Sequence, residues 1–127
     1  HAPGMLQPRV IEEAVGLADL LPTVAGMAGM PFTNGAMGRD IQQPAPEGER
    51  VLPLVLREGT FPVIGGVTKD FLLQMQHDGS GATLHDLASN TPREDVAQEH
   101  PQEFERLLEL TRGMHEGARL MLYRNVR

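Results

Sequence analysis

PVIGGVTKDFLLQMQ, residues 62–76, is the stretch that decides the fold. Pro62 to Thr68 and Phe71 to Gln76 are two runs of strand length, and Lys69-Asp70 between them has the size and polarity of a tight turn, so a β-hairpin is predicted. Within the second run Phe71, Leu73 and Met75 fall on one side and Gln74 and Gln76 on the other, the period-two alternation of a sheet with one buried face. Upstream, Val51 to Leu56 is apolar but contains Pro53, which cannot donate to a ladder; this is an edge strand or an extended segment. Downstream, His77-Asp78-Gly79-Ser80-Gly81 reads as a turn and Ala82 to Leu87 as a further short strand. The expected core is an antiparallel sheet of three to four strands.

Helical patterns flank the sheet on both sides. From Pro101 to Tyr123, the residues Phe104, Leu107, Leu108, Thr111, Met114, Ala118, Met121 and Leu122 recur at helical spacing, with Glu103, Glu105, Arg106, Glu109 and Arg112 largely off that face. Gly113 and Gly117 each cost about 1 kcal/mol relative to Ala in a helix interior, which points to close packing there or, as the less favoured reading, to a break near the middle. Before the sheet, GLADLLPTVAGMAG (Gly16 to Gly29) reads as a short helix. Asp19 is placed to cap it by accepting from the Leu21 N–H, and Pro22 sits in the first turn, where a missing N–H costs little. Leu20, Leu21, Val24 and Met27 form its apolar stripe, and Gly29 followed by Pro31 stops it.

The remaining segments are irregular. Residues 1–13, with Pro3-Gly4 and Pro8 as breakers and Val10-Ile11 as an apolar pair, read as a loop leading into a strand. Residues 32–50, with Asn34-Gly35, Gly38-Arg39-Asp40 and Pro44-Ala45-Pro46-Glu47-Gly48, read as a surface loop. Thr91, Pro92 and Glu94 have the spacing of a capping box with proline at the first helical position, so a short helical turn is expected there.

Composition narrows the function classes. A chain of 127 residues forms one domain with a modest core. Aromatics make up 4% of it, so aliphatic side chains and seven Met fill the interior. A formal charge of −6 counts against nucleic acid as a partner, because phosphate neutralisation needs clustered Lys and Arg. With no Cys there is neither a disulfide framework nor a thiolate nucleophile or ligand. No apolar run approaches the roughly 18 residues of a membrane span, so direct membrane insertion by this segment is not expected. The chain opens with His1 rather than Met, as an excised piece does.

The Asp-Leu-Leu-Pro-Thr segment at Asp19 to Thr23 resembles one found near the C-terminal end of the sulfatase family, within the alkaline phosphatase-like superfamily of ester hydrolases. Asn34-Gly35 through Arg39-Asp40-Ile41 is similar to the Gly-rich connection that follows it in such chains. His85-Asp86-Leu87, Thr91-Pro92-Arg93-Glu94 and Asp95-Val96-Ala97 resemble the Leu-Tyr-Asp-Leu, Asp-Pro-x-Glu, Asn-Leu-Ala pattern after the last strands of many sulfatases. His85 stands where Tyr is usual, Thr91 where Asp is usual, and Asp95-Val96 replaces the Asn-Leu region. Ala118 to Asn125 looks like the closing helix of the phosphoglycerol transferase-like, membrane-anchored branch. The likeness covers three ordered islands: Gly16 to Gly29, Ile64 to Ala97 and the terminal helix.

This resemblance implies an α+β fragment of an α/β alkaline phosphatase-like fold: residues 1–31 as strand and helix from the end of a main domain, 32–50 as loop, and 51–127 as small sheet plus terminal helix. It implies a C-terminal portion of a hydrolase of sulfate or phosphate esters, or of a phosphoglycerol transferase. The nucleophile, a modified cysteine or a threonine, and the ligands of a divalent metal (Ca, Mg or Mn) would lie in upstream segments. There the metal would hold the ester oxyanion and lower the nucleophile's pKa. The implied partner is the N-terminal catalytic domain of the same protein, with a homodimer of the fragment as a second expectation. The parent protein would act in the periplasm, outside the cell or at a membrane. A different class, a protein-interaction module using the apolar helix, fits the same residues without chemistry.

The residues themselves suggest no catalytic, cofactor-binding or metal-binding set. His1, His77, His85, His100 and His115 contain no His-x-His or His-x-x-x-His pair. His77-Asp78 and His85-Asp86 are neighbours on a strand or at its end, where side chains diverge, so solvated or capping roles are expected. Glu12-Glu13 reads as a solvated face or a strand end. Gly65-Gly66 lacks the Lys and Ser or Thr of a phosphate loop, and a bulge or crowded strand is the simpler reading.

Overall fold

The computed structural model describes residues 9–31, 33–35, 37–44 and 50–125. His1, Pro3-Gly4, Pro8 and Ala45 to Gly48, which entered the loop readings above, lie outside them. The architecture is α+β. A 3₁₀ turn, Leu17–Asp19, runs into helix α1, Leu20–Met27; strands β1 (Leu52–Arg57), β2 (Val63–Val67), β3 (Phe71–Gln76) and β4 (Thr83–Asp86) follow, then helix α2, Pro101–Asn125. The four strands form one antiparallel meander in the order β1-β2-β3-β4.

The hairpin forms where the alternation places it, and Thr68 closes the Lys69-Asp70 turn: its N–H donates to the Phe71 carbonyl at 2.9 Å, and its Oγ1 accepts from the Phe71 N–H at 3.0 Å. Register aligns Val55, Ile64 and Met75 in one row and Pro53, Gly66, Leu73 and Leu84 in the next. These rows face α2, whose buried Leu107 completes a core of Val51, Ile64, Leu73, Met75 and Leu84, with Phe71, Phe104, Leu108 and Met114 packed around it. Gly65 and Gly66 are crowded rather than bulged. An added Cβ would lie 2.8 Å from the Leu73 carbonyl oxygen at Gly65 and 2.2 Å from Thr111 Oγ1 at Gly66.

The opposite face is more apolar than the Gln74/Gln76 alternation suggests. It carries the rows Leu52, Val67, Leu72, His85 and Leu54, Gly65, Gln74, Thr83. Only Leu52 among its apolar residues is fully buried; Gly16 lies against it, and a Cβ there would come within 2.8 Å of Leu52 Cδ2.

Both edges of the sheet are blunted against further pairing. β1 carries Pro53 and a register irregularity between Val55 and Arg57, two devices that blunt an edge. β4 is covered by residues 95–96: the Val96 N–H donates to the Leu84 carbonyl at 2.8 Å, and Asp95 Oδ1 accepts from the Leu84 N–H at 3.0 Å.

Three expectations need correction. No strand forms over residues 9–13 around Val10-Ile11; a strand needs a ladder, and among the described residues β1 and β4 pair only with β2 and β3. The short turn expected at Thr91-Pro92-Arg93-Glu94 does form, with the Glu94 N–H on the Thr91 carbonyl at 3.0 Å, and it is not extended into a helix. There Asp95 and Val96 are drawn onto β4, which takes the Val96 N–H that a helix would use. Thr91 Oγ1 donates to the Glu94 carboxylate at 2.9 Å instead of capping. Finally, Gly113 and Gly117 are not closely packed: an added Cβ at either meets nothing within 4 Å among the described residues, because both lie on the side of α2 turned away from Leu107 and Thr111. The helix is nevertheless unbroken.

Candidate functional site

The segment Asp19 to Thr23, which carries the family resemblance, is built inside out. Its polar and proline residues are buried and its leucines are not: Asp19, Pro22 and Thr23 are buried, whereas Leu17 is 91% exposed and Leu20 and Leu21 are each 62% exposed. The expected apolar stripe therefore exists but faces outward. Thr23 explains the orientation. Its hydroxyl donates to the Asp19 carbonyl at 2.6 Å and accepts from the Ile41 N–H at 3.2 Å, so the hydroxyl side of α1 is stitched to the following loop. Gly38 lies in the same seam, where a Cβ would meet the Ala18 carbonyl.

Asp19 does not cap α1 through the Leu21 N–H. A 3₁₀ turn precedes the helix, so the carboxylate points back and collects donors from three directions. Oδ2 accepts from the Gly16 N–H at 2.9 Å and Arg50 Nη1 at 3.0 Å; Oδ1 accepts from the Arg39 N–H at 2.8 Å and Arg50 Nη2 at 2.5 Å. Burial pushes the Asp19 carboxyl up, but the Arg50 hydrogen bonds, the Arg39 and Gly16 N–H groups and the Arg50 charge together hold it below the ordinary carboxylate range. Arg50 also donates to the Ala14 carbonyl at 3.2 Å, and Arg39 pairs with Glu13 and donates to the Asp40 and Gln43 carbonyls. Glu13 is thus part of a half-buried ion pair, whereas Glu12 is exposed and pairs with Lys69 at 3.1 Å. Neither arginine was marked by sequence spacing. They lie 20 and 31 positions from Asp19, and only a buried acid in need of cations would have pointed to them.

The two His-Asp neighbours part ways. His77 is exposed, and Asp78 Oδ1 accepts from the Ser80 N–H at 2.8 Å, which holds that carboxyl below its usual range. Asp86 likewise accepts from the Ala88 N–H. His85 departs from the solvated reading: it is 8% exposed and bonded at both nitrogens. The Glu94 carbonyl at 3.0 Å can only accept, so Nδ1 carries the proton. Nε2 lies within hydrogen-bond distance of the Gln74 side-chain amide at 2.9 Å and the Thr83 hydroxyl at 3.0 Å. The ring is buried because the Asp95 and Val96 contacts to β4 bring Glu94 over it. With both nitrogens used, His85 ties the 94–96 segment to the sheet rather than offering a base or a ligand.

Among the described residues no group of three or more His, Asp or Glu side chains is placed to hold a metal ion, so the divalent metal implied by the resemblance has no ligand set in them. Also among them, no helix is long and apolar enough to cross a membrane. What the structure leaves bare is the side of the 3₁₀ turn and α1 that carries Leu17, Leu20, Leu21 and Val24, with the charge cluster around Asp19 on the buried side. No family model matches the chain, and no curated protein matches it.

Proposed function

We propose that this chain is the non-catalytic C-terminal portion of a sulfatase-like, metal-dependent hydrolase of sulfate or phosphate esters, and that α1 seats against a catalytic α/β domain carried elsewhere in the same protein. The observation that carries the reading is the outward apolar face of α1. Leu17, Leu20, Leu21 and Val24 stand in water on a helix whose other side is pinned by Asp19 and Thr23. A monomer rarely leaves such a contiguous face bare. The order of the elements supports the same reading: a Pro-Thr helix, a small antiparallel sheet, then a long closing helix, the sequence of islands in which the resemblance runs. The likeness of Ala118 to Asn125 to the phosphoglycerol transferase branch keeps that transferase as the second reading. The same bare face would equally serve an interaction module with no chemistry.

The reading is tested in two steps. Purified alone, the 127-residue chain is expected to hydrolyse neither aryl sulfates nor phosphodiesters with Ca, Mg or Mn added. Turnover that tracks the protein through purification would overturn the assignment. Sequencing the gene upstream of the His1 codon is expected to reveal a Cys-x-Pro-x-Arg segment or a threonine nucleophile with an Asp-His or Asp-Asn metal-ligand pair. An upstream sequence with neither would leave the interaction module as the function.

A further inference from the structure

Helix α2 continues well beyond its own sheet. Leu107 and Thr111 are buried and Met114 and His115 half-buried, but every described side chain from Ala118 to Arg124 is exposed, Leu120 at 51% and Leu122 at 69%. A helical end with no packing face is marginal by itself. Residues Glu109, Gly113, Gly117, Leu120 and Arg124 recur at steps of four, four, three and four, which places them on one side of the helix, away from Leu107 and Thr111. Leu110 and Met121, both exposed, border that side. An added Cβ at Gly113 or Gly117 meets nothing within 4 Å among the described residues, so the space above them is open. Glu109 and Arg124, at the two ends of the side, make no ion pair or hydrogen bond among the described residues.

We propose that this side of α2 pairs antiparallel with the same side of a second copy, about a two-fold axis at Gly117. The charges select both the partner and the direction. Glu109 and Arg124 lie fifteen positions apart, about 22 Å along a helix, with Gly117 near the midpoint. Antiparallel self-pairing therefore brings each Glu109 beside Arg124 of the other copy, twice. A parallel pair would set Arg124 against Arg124 and Glu109 against Glu109. The same register lays Leu120 over the open space at Gly113 of the other copy, and the glycines at the axis let the two backbones approach closely. A C2 interface of this kind is self-complementary by construction. It stands independently of the proposed function, because it uses neither α1 nor any catalytic segment.

The absence of native Cys makes a clean test available. Sedimentation equilibrium is expected to give twice the chain mass. Gly117→Cys is expected to become a disulfide-linked dimer under mild oxidation, while Ser80→Cys, on an exposed turn of the sheet, stays unlinked. Gly113→Leu adds a Cβ that meets nothing within 4 Å among the described residues of its own chain but fills the space for Leu120, and should weaken dimerisation at least tenfold with unchanged circular dichroism. A monomeric mass at millimolar chain overturns the proposal. So does a dimer that Gly117→Cys fails to trap and Gly113→Leu fails to weaken, since it would be held by another face.

Discussion

A carboxylate removed from water has to be fully paired, and Asp19 meets that condition with two backbone N–H groups and both arms of the Arg50 guanidinium. Removing one partner of a buried ion pair typically costs about 3 kcal/mol, so Asp19→Asn is expected to lower the stability of the 9–44 segment by roughly that amount at neutral pH. The pH dependence has a definite sign. Because the folded Asp19 titrates below its ordinary value, its contribution is complete above the unfolded pKa of about 3.9 and disappears as pH falls through the lower folded value. Thermal melts from pH 7 to pH 2 should therefore show wild type and Asp19→Asn far apart at neutrality and converging in acid. A gap that stays constant down to pH 2 would mean that the charge is not what stabilises the segment.

At the level of elements, the contact between α2 and the sheet turns on Thr111 and Gly66. The Thr111 hydroxyl is buried with no hydrogen-bond partner among the described residues, and it occupies the space that a side chain at Gly66 would need. An orphaned buried hydroxyl costs about 1 kcal/mol or more, so Thr111→Val should raise stability by about 1 kcal/mol. Gly66→Ala pushes a methyl into the same place and should lower it by about 1–3 kcal/mol, the usual range for overpacking. Chemical denaturation of both variants checks the pair of signs. The strands and α2 were legible in the sequence because each carries its own period: Phe71, Leu73 and Met75 alternate, and Phe104, Leu107, Thr111 and Met114 recur at helical spacing. Thr91 to Val96 was not, because its local capping signal competes with pairing to Leu84, a long-range contact that spacing cannot encode. Nor did spacing show that the sheet's second face would hold Leu54, Val67 and Leu72 as well as glutamines.

Considered as a whole molecule, the chain has two parts of unequal firmness. The sheet and α2 share the buried cluster of Leu73, Met75, Leu84 and Leu107. The 9–44 segment rests on β1 through Leu52 and Arg50 and on the hairpin through the exposed Lys69–Glu12 pair, and pairs of that exposed kind contribute little. Hydrogen exchange should follow this division, with amides in β3 and the first half of α2 slowest and those of α1 opening separately. Asp19→Asn should speed α1 further while leaving β3 unchanged; equal protection throughout would show a single cooperative unit. The arrangement of the candidate site was the least legible feature. The Asp-Leu-Leu-Pro-Thr pattern located the helix and its glycine stop, which is realised with Gly29 at φ 63° and the Met30 N–H on the Ala25 carbonyl. Which side of it is buried depends on Arg39, Arg50 and Ile41, all remote in the chain.

The two margins of the sheet carry a consequence for assembly. Proline and an irregular register on one side and a tethered segment on the other work against adding a further strand in line by main-chain bonding. Growth into a continuous ribbon, whether toward a larger enzyme body or a fibril, is disfavoured at both ends. A partner that recognises side chains meets no such obstacle.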